Sequence, residues 1–450
     1  MQDRRIVLDL FESQSDVWKQ KASEGIERYR KGDAKLTLTD AQGAPIKDAK
    51  IKLKQKTHEF RFGANIFMID ELETEEKNET YKKNFAELFN MATLPFYWNT
   101  LEPERGKPRY AKDSEKVYRR PAPDLCLEFC EEHGIEPREH ALAYEYYFPE
   151  WLRTASVDEV KRELERRYAE ISERYADKIS TIEVTNEMDH SVWVTDFYNE
   201  PDYVEWCFKL AEKYFPNNEL VINEGTRHCW EGKYGRATDQ YYSYIETNML
   251  KGARIDAIGM QYHLFNKKEN EYELTRMTLN PENLYRKMDL YAGLGKPLQI
   301  TEVTIPAYSW EADDEMIQAE ILENLYTIWF SHPSVEQIVY WNLVDGYAHL
   351  WSSDLDEIHA SQGNMTIGEN YYYGGLLRFD MSPKPAYFKL KELLQSKWHT
   401  EVELLTDETG CAEFRGFYGE YDVEVQTDEG MEQTSISLSK KAENSFMIKM

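Results

Sequence analysis

Two glutamates stand at the ends of apolar runs, Glu187 in IEVTNE and Glu302 in LQITEV. Paired carboxyls suit glycosidic cleavage: one acid protonates the departing oxygen, and one carboxylate attacks or stabilises the anomeric carbon. A double displacement with retention predicts the two groups about 5 to 5.5 Å apart. The blander alternative is that each Glu caps a helix or meets an arginine at a loop rim. Other runs end in side chains able to hold a sugar: Tyr97 and Trp98, His140, Asn186, Asn223 and Glu224, Gln261 and His263, and Trp341. Amides and imidazoles exchange hydrogen bonds with hydroxyls, and aromatic faces cover sugar C–H groups.

The elements that position these residues recur every 35 to 45 residues. The runs FRFGANIF, MATLPFY, EPREHALAY, STIEVTNE, ELVINEG, DAIGMQYH, PLQITEV and EQIVYWNL alternate with amphipathic stretches. That alternation predicts right-handed βα units and a parallel sheet buried on both faces. Eight such units predict an α/β fold of the closed (β/α)8 TIM barrel type, whose reactive groups gather at the C-terminal strand ends. An open doubly wound sheet alternates similarly, but no Gly-rich phosphate loop follows any of the runs. Between the runs, Val157, Val160, Leu164, Tyr168, Ile171 and Tyr175 recur at helical spacing behind a Ser156/Glu159 capping box. A second helix is predicted through ADDEMIQAEILENLYTIWF, with Ile317, Ile321, Leu325 and Ile328 on its apolar face.

The chain ends have a different character. Residues 34–56 read as two alternating strands around a Gly/Pro turn, and residues 400–450 as four or five short strands split by TDETG, YGEY, TDEG and KAEN. Neither end suffices for a core, whereas together they make one accessory β-sandwich. The expected organisation is 1–57, an N-terminal helix and strands of the sandwich; 58–397, the barrel; and 398–450, the strands completing the sandwich. A brace is the expected role of that sandwich, ahead of a carbohydrate-binding module, because its exposed positions are mostly charged.

Composition narrows the partners. The 450 residues carry 82 Asp and Glu against 54 Lys and Arg, a formal charge of −28, which repels nucleic acid and anionic lipid alike. Neither nucleic acid nor a membrane is an expected partner, while the 11 Trp and 31 Tyr suit a neutral, hydroxyl-rich carbohydrate. The charged N-terminus reads as cytoplasmic; a secreted protein whose leader has been replaced by an initiator Met would look the same. The five Cys read as buried free thiols, Cys126 and Cys130 at helical spacing. The ten His form no HxxxH or HExxH pattern, so no cofactor and no metal is expected.

Over roughly residues 58 to 396 the sequence resembles the family 10 glycoside hydrolases, the retaining endo-β-1,4-xylanases. The resemblance rests on LEPERG, TNEM, GMQYH, ITEVTI, VYWNLVDG and PKPAY, in the family's order and spacing. It implies Glu187 as general acid/base and Glu302 as nucleophile. It further implies that Asn186 contacts the 2-hydroxyl, His263 orients the nucleophile, Gln261 helps bind the sugar, and His140 and Trp341 line the reacting-sugar subsite. In that scheme the charge on Glu302 keeps Glu187 protonated until the covalent bond neutralises it.

Departures from the family pattern point to altered recognition. TLPFYW, with Thr93, Leu94 and Tyr97, replaces the polar clamp expected after the second barrel strand. Tyr144 and Glu145 replace a Trp-His pair, and His349, with Trp351 two residues on, falls where a second Trp is expected. Tyr97, Trp98, Tyr144, Tyr146, Tyr147 and Phe148 make an aromatic rim or else pack a loop core. Three readings follow: a β-glycoside hydrolase acting on xylan-derived or decorated oligosaccharides, an exo-acting β-glycosidase or β-xylosidase on small glycosides, and a saccharide-binding barrel without turnover. Oligomeric state is not legible in the sequence.

Overall fold

The computed structural model describes residues 4–189, 194–350, 352, 357, 360–428 and 430–450; Trp351 lies outside them. The described chain divides into two compact units. The first comprises the segment through Ser13, Phe62–Leu322 and Ser334–Tyr387; the second comprises Gln14–Arg61, Glu323–Pro333 and Phe388–Met450.

The first unit is the barrel. Eight parallel strands close in the order β10-β3-β4-β5-β6-β7-β8-β9, where β3 is Arg61–Asn65, β4 Met91–Pro95, β5 Glu136–His140, β6 Thr181–Asn186, β7 Glu219–Glu224, β8 Ala257–His263, β9 Leu298–Thr304 and β10 Val335–Tyr340. Each of the eight apolar runs supplies one strand. Both faces are covered: every residue of β4, β6 and β9 is buried, as expected of a parallel sheet under helices.

The predicted helices form as read. Val157–Tyr175 opens on Ser156, whose hydroxyl accepts from the Glu159 amide at 3.3 Å, and buries Val160, Leu164, Tyr168, Ile171 and Tyr175. Ala312–Ser331 buries its predicted face together with Leu322, Tyr326 and Trp329. Among the described residues no helix is long and apolar enough to cross a membrane. Four cysteines are buried thiols as expected; Cys411 is half-exposed.

The second unit holds a seven-stranded sandwich. One sheet runs β12-β1-β15 and the other β11-β2-β13-β14, with β1 Lys31–Thr39, β2 Lys50–Gln55, β11 Glu401–Leu405, β12 Cys411–Phe417, β13 Gly419–Thr427, β14 Gly430–Leu438 and β15 Ser445–Lys449. The two N-terminal strands do not pair with each other. β1 lies between β12 and β15, and β2 between β11 and β13. Leu36, Leu38, Ile51, Leu53, Val423, Val425 and Leu438 fill the space between the sheets.

The boundaries differ from the three expected segments. Residues 4–13 belong with the barrel, while Glu323–Pro333 and Phe388–Lys397 join the sandwich unit. Arg4 explains the first difference: its guanidinium pairs with Glu271 at 2.8 Å and reaches the Pro306 and Ala307 carbonyls. Arg30 accounts for the residues around 330, since its guanidinium donates to the carbonyls of Phe330 and His332, both at 2.5 Å.

Candidate active site

A cleft of 480 Å³ is lined by residues from the C-terminal ends of the barrel strands and the loops after them. Glu187, Glu302, His140, Asn186, Gln261, His263, Trp341, Tyr97, Tyr144 and His349 all line it. Glu145 does not. It is buried behind the cleft, where its Oε1 accepts from the Val194 amide at 3.0 Å.

Local backbone irregularities aim these side chains. Strict alternation along β6 puts Glu183 and Asn186 on opposite faces, yet both reach Asn223. A register shift between Glu183 and Thr185 in the β6–β7 pairing resolves this, because the extra residue restores both to one face. Glu187 then adopts left-handed backbone, φ 50°, with its amide donating to the Asn223 carbonyl at 3.1 Å. Such a conformation costs a non-glycine residue about 1 to 3 kcal/mol and persists where the surroundings enforce it. It allows the consecutive residues Asn186 and Glu187 both to serve the cleft.

The two carboxyls are joined by a chain of amides. Gln261 Nε2 donates to Glu187 Oε1 at 3.0 Å and to Asn186 Oδ1 at 3.1 Å. Asn223 Nδ2 donates to Asn186 Oδ1 at 3.0 Å and to Glu302 Oε1 at 3.0 Å. Thr301 holds Asn223 in place by donating to its Oδ1 at 2.6 Å, and Gly259 leaves the room, since a Cβ there would collide with that amide. Glu302 Oε2 lies 3.1 Å from His263 Nε2, whose Nδ1 lies 2.9 Å from Thr304 Oγ1. Burial lowers the His263 pKa to about 4, so the ring that links Glu302 to Thr304 is neutral.

Below this chain lies a charged floor. His140 donates from Nδ1 to Glu183 Oε1 at 2.8 Å, and its Nε2 lies 2.9 Å from the Tyr97 hydroxyl. Arg138 pairs with the other oxygen of Glu183. Burial opposes charge on His140, but Glu183 outweighs it and holds the imidazole above its ordinary range. His140, Glu183 and Glu302 bring donor atoms within 4.8 Å of one another. Both His140 nitrogens and both Glu183 oxygens are already engaged, and Arg138 supplies the positive charge, so the cluster reads as a hydrogen-bonded floor.

The electrostatics of the pair differ from the sequence expectation. Burial pushes the Glu302 carboxyl up to about 8; Glu183 and Glu187 add to the shift, while His140 and Arg138 oppose it. Glu302 is buried and Glu187 half-exposed, and desolvation falls on the group that loses its water.

The aromatic rim splits in two. Tyr97, Tyr144, Tyr146 and Tyr147 line the cleft, with the Tyr97 and Tyr147 centroids 4.1 Å apart. Trp98 instead donates its indole N–H to Glu102 at 2.9 Å and packs edge-on against Phe148 and Trp151, a loop core. Within LEPERG, Glu102 also accepts from the Gly106 amide at 2.6 Å. VYWNLVDG and PKPAY meet in the fully buried pair Asp345–Lys384, 3.1 Å apart. These two contacts hold loops rather than face the cleft.

Sequence reading missed Arg138, Glu183, Arg119, Arg120, Arg227 and Glu369. A charge inside an apolar run was the available signal for Arg138 and Glu183. The loop residues Arg119, Arg120 and Glu369 carry no periodicity that marks them.

The fold and the cleft define a (β/α)8 barrel of the glycosidase type. Residues 54–392 match the family model for glycosyl hydrolase family 10, and the chain belongs to that family. It is 26% identical over 416 residues to the anti-sigma-I factor RsgI6 of Acetivibrio thermocellus, covering 91% of this chain and 46% of that protein. It is 24% identical over 441 residues to endo-1,4-beta-xylanase 2 of Arabidopsis thaliana, covering 97% of this chain and 35% of that one. The chain thus spans less than half the length of these two relatives. Among solved structures, native xylanase 10B from Thermotoga maritima shares the fold, with a TM-score of 0.58 and 22% identity over 75% of this chain and 96% of that chain. Xylanase 10B from Thermotoga petrophila RKU-1, solved with xylobiose, has the same TM-score and coverage of 75% and 95%.

Proposed function

We propose that the protein is a retaining β-glycoside hydrolase acting on xylan-derived or decorated oligosaccharides. The observation that carries this is the pair Glu187 and Glu302 in one cleft, linked through Gln261, Asn186 and Asn223. Glu302, fixed by Asn223 and His263, attacks the anomeric carbon. Glu187, fixed by Gln261 and Tyr144, delivers its proton to the departing oxygen, and water then hydrolyses the glycosyl-enzyme with Glu187 as base. Burial of Glu302 lets the pair retain one proton up to about pH 8, the charge state this chemistry starts from. A pure binder has no use for two such carboxyls.

Tyr97, which stands in the segment replacing the expected polar clamp on a second sugar, clusters with Phe67 and Trp341, with Tyr144 and Tyr147 against them. That favours, as a second reading, exo action on a terminal sugar. Aryl β-xyloside, xylobioside, glucoside and arabinoside assayed side by side distinguish the two. Preference for the xylobioside supports endo action, and preference for a monosaccharide supports exo action. Turnover that survives Glu302→Gln overturns both.

A further inference from the structure

We propose that the cleft recognises a sugar carboxylate, that of a hexuronic acid, through Arg119 and Arg120. The proposal rests on the glycosidase reading of the cleft and specifies its substrate class. Both arginines line the cleft, and both are more than nine-tenths buried. Arg119 donates from one terminal nitrogen to Asn342 Oδ1 at 2.9 Å and to the Tyr347 carbonyl at 2.6 Å. Arg120 donates only to the Arg119 carbonyl, at 2.8 Å, and lies over the Tyr97 ring at 3.8 Å. The Nε of each has no hydrogen-bond partner.

Among the described residues, neither guanidinium forms an ion pair. Arg138 in the site floor is, by contrast, paired with Glu183. A buried charge without a counter-charge is costly, and stacking on an aromatic face returns only part of the loss. Glu71 and Glu369, which act on these cations from farther off, are half-buried carboxyls held above their ordinary range by desolvation. A chain of charge −28 thus places in its sugar cleft two cations without an ion-pair partner among the described residues. A planar carboxylate matches the guanidinium fork, and a uronic acid is the sugar that brings one.

The test uses the Glu302→Gln protein, so that ligands are bound and not cut. Calorimetric titration with a glucuronoxylo-oligosaccharide is compared with the same oligosaccharide after its carboxyl is reduced to the alcohol. The expected result is about tenfold or more tighter binding of the acid, a ratio that falls to about one in Arg120→Gln. Equal affinities, failure of the acid to bind, or a ratio unchanged by Arg120→Gln overturns the proposal. Should Arg120→Gln not fold, the two ligands on the unaltered arginines still decide it. Competition by 4-nitrophenyl β-glucuronide against the β-glucoside separates two sources of the carboxylate. Preference for the glucuronide puts it on the reacting sugar, and preference confined to the oligosaccharide puts it on a neighbouring one. Hydrolysis is scored separately, by cleavage of neutral xylo-oligosaccharide with native Glu302, so binding and turnover succeed or fail independently.

Discussion

The hydroxyl of Tyr144 donates to Glu187 Oε2 at 2.5 Å, while Gln261 holds the other oxygen at 3.0 Å. Burial first, then the Glu187 charge, keeps the Tyr144 phenol well above its ordinary range, so it remains a donor at every working pH. The carboxyl proposed to protonate the leaving group is thus oriented from both sides.

Tyr144→Phe removes one of those constraints and none of the cleft volume. For a glycoside with an alkyl or sugar leaving group, which needs a proton, kcat should fall about tenfold or more. For a 4-nitrophenyl leaving group, which departs unaided, it should fall much less. Measuring kcat across a series of leaving groups checks this, and equal loss for all of them contradicts the role.

Glu302 gives a pH dependence with a definite sign. Its folded pKa, about 8, lies above the ordinary carboxyl value of 4.5, so the folded state binds a proton that the unfolded state releases. Stability from this group is fully present below the unfolded value and is lost as pH rises towards 8. The melting temperature of Glu302→Gln relative to the parent should therefore climb between pH 4.5 and 8. Calorimetric scans across that window test it, and a constant difference refutes it.

Activity should share the upper limit. The proposed chemistry needs one proton on the pair, and that proton leaves at about pH 8. The alkaline limb of the kcat/KM profile should fall near there, read from initial rates at varied pH.

Gly259→Ala places a methyl group against the Asn223 amide. Asn223 then loses its fit to Asn186 and Glu302, and kcat should drop about 10- to 100-fold with a destabilisation of about 1 to 3 kcal/mol. Steady-state kinetics together with urea melts separate the two effects.

Removing residues 400–450 takes away every sheet neighbour of β1 and β2. Their apolar faces, Leu36, Leu38, Ile51 and Leu53, become exposed. The shortened chain should aggregate or lose part of its melting transition, and an unchanged transition tells against the sandwich as a brace.

The barrel was legible because strands buried on both faces are written mostly in apolar residues and recur at a regular spacing, β5 with its Glu, Arg and His being the exception. The eight runs therefore marked β3 to β10, and eight of the eleven residues read at strand ends line one cleft, Trp98, Asn223 and Glu224 lying outside its lining. Glu145 failed because adjacency to Tyr144 says nothing about which way a short 3-10 turn faces. Arg119 and Arg120 sit in VYRRPAP, a loop whose course depends on tertiary contacts rather than on any period. The raised Glu302 carboxyl was not legible because desolvation depends on depth, which spacing along a strand does not encode. Alternation revealed β1 and β2, but not that each enters a different sheet, since strand partners so distant in sequence leave no local mark.

That interleaving of the two ends has a consequence for biosynthesis. Gln55 waits for Thr400, 345 positions later, to bond to its side chain. During vectorial synthesis the first two strands emerge long before their partners, while the whole barrel sequence follows between them. The sandwich thus closes only after the barrel sequence and the strands beyond Thr400 have been made, and a ribosome that stops within the barrel releases two strands without their partners.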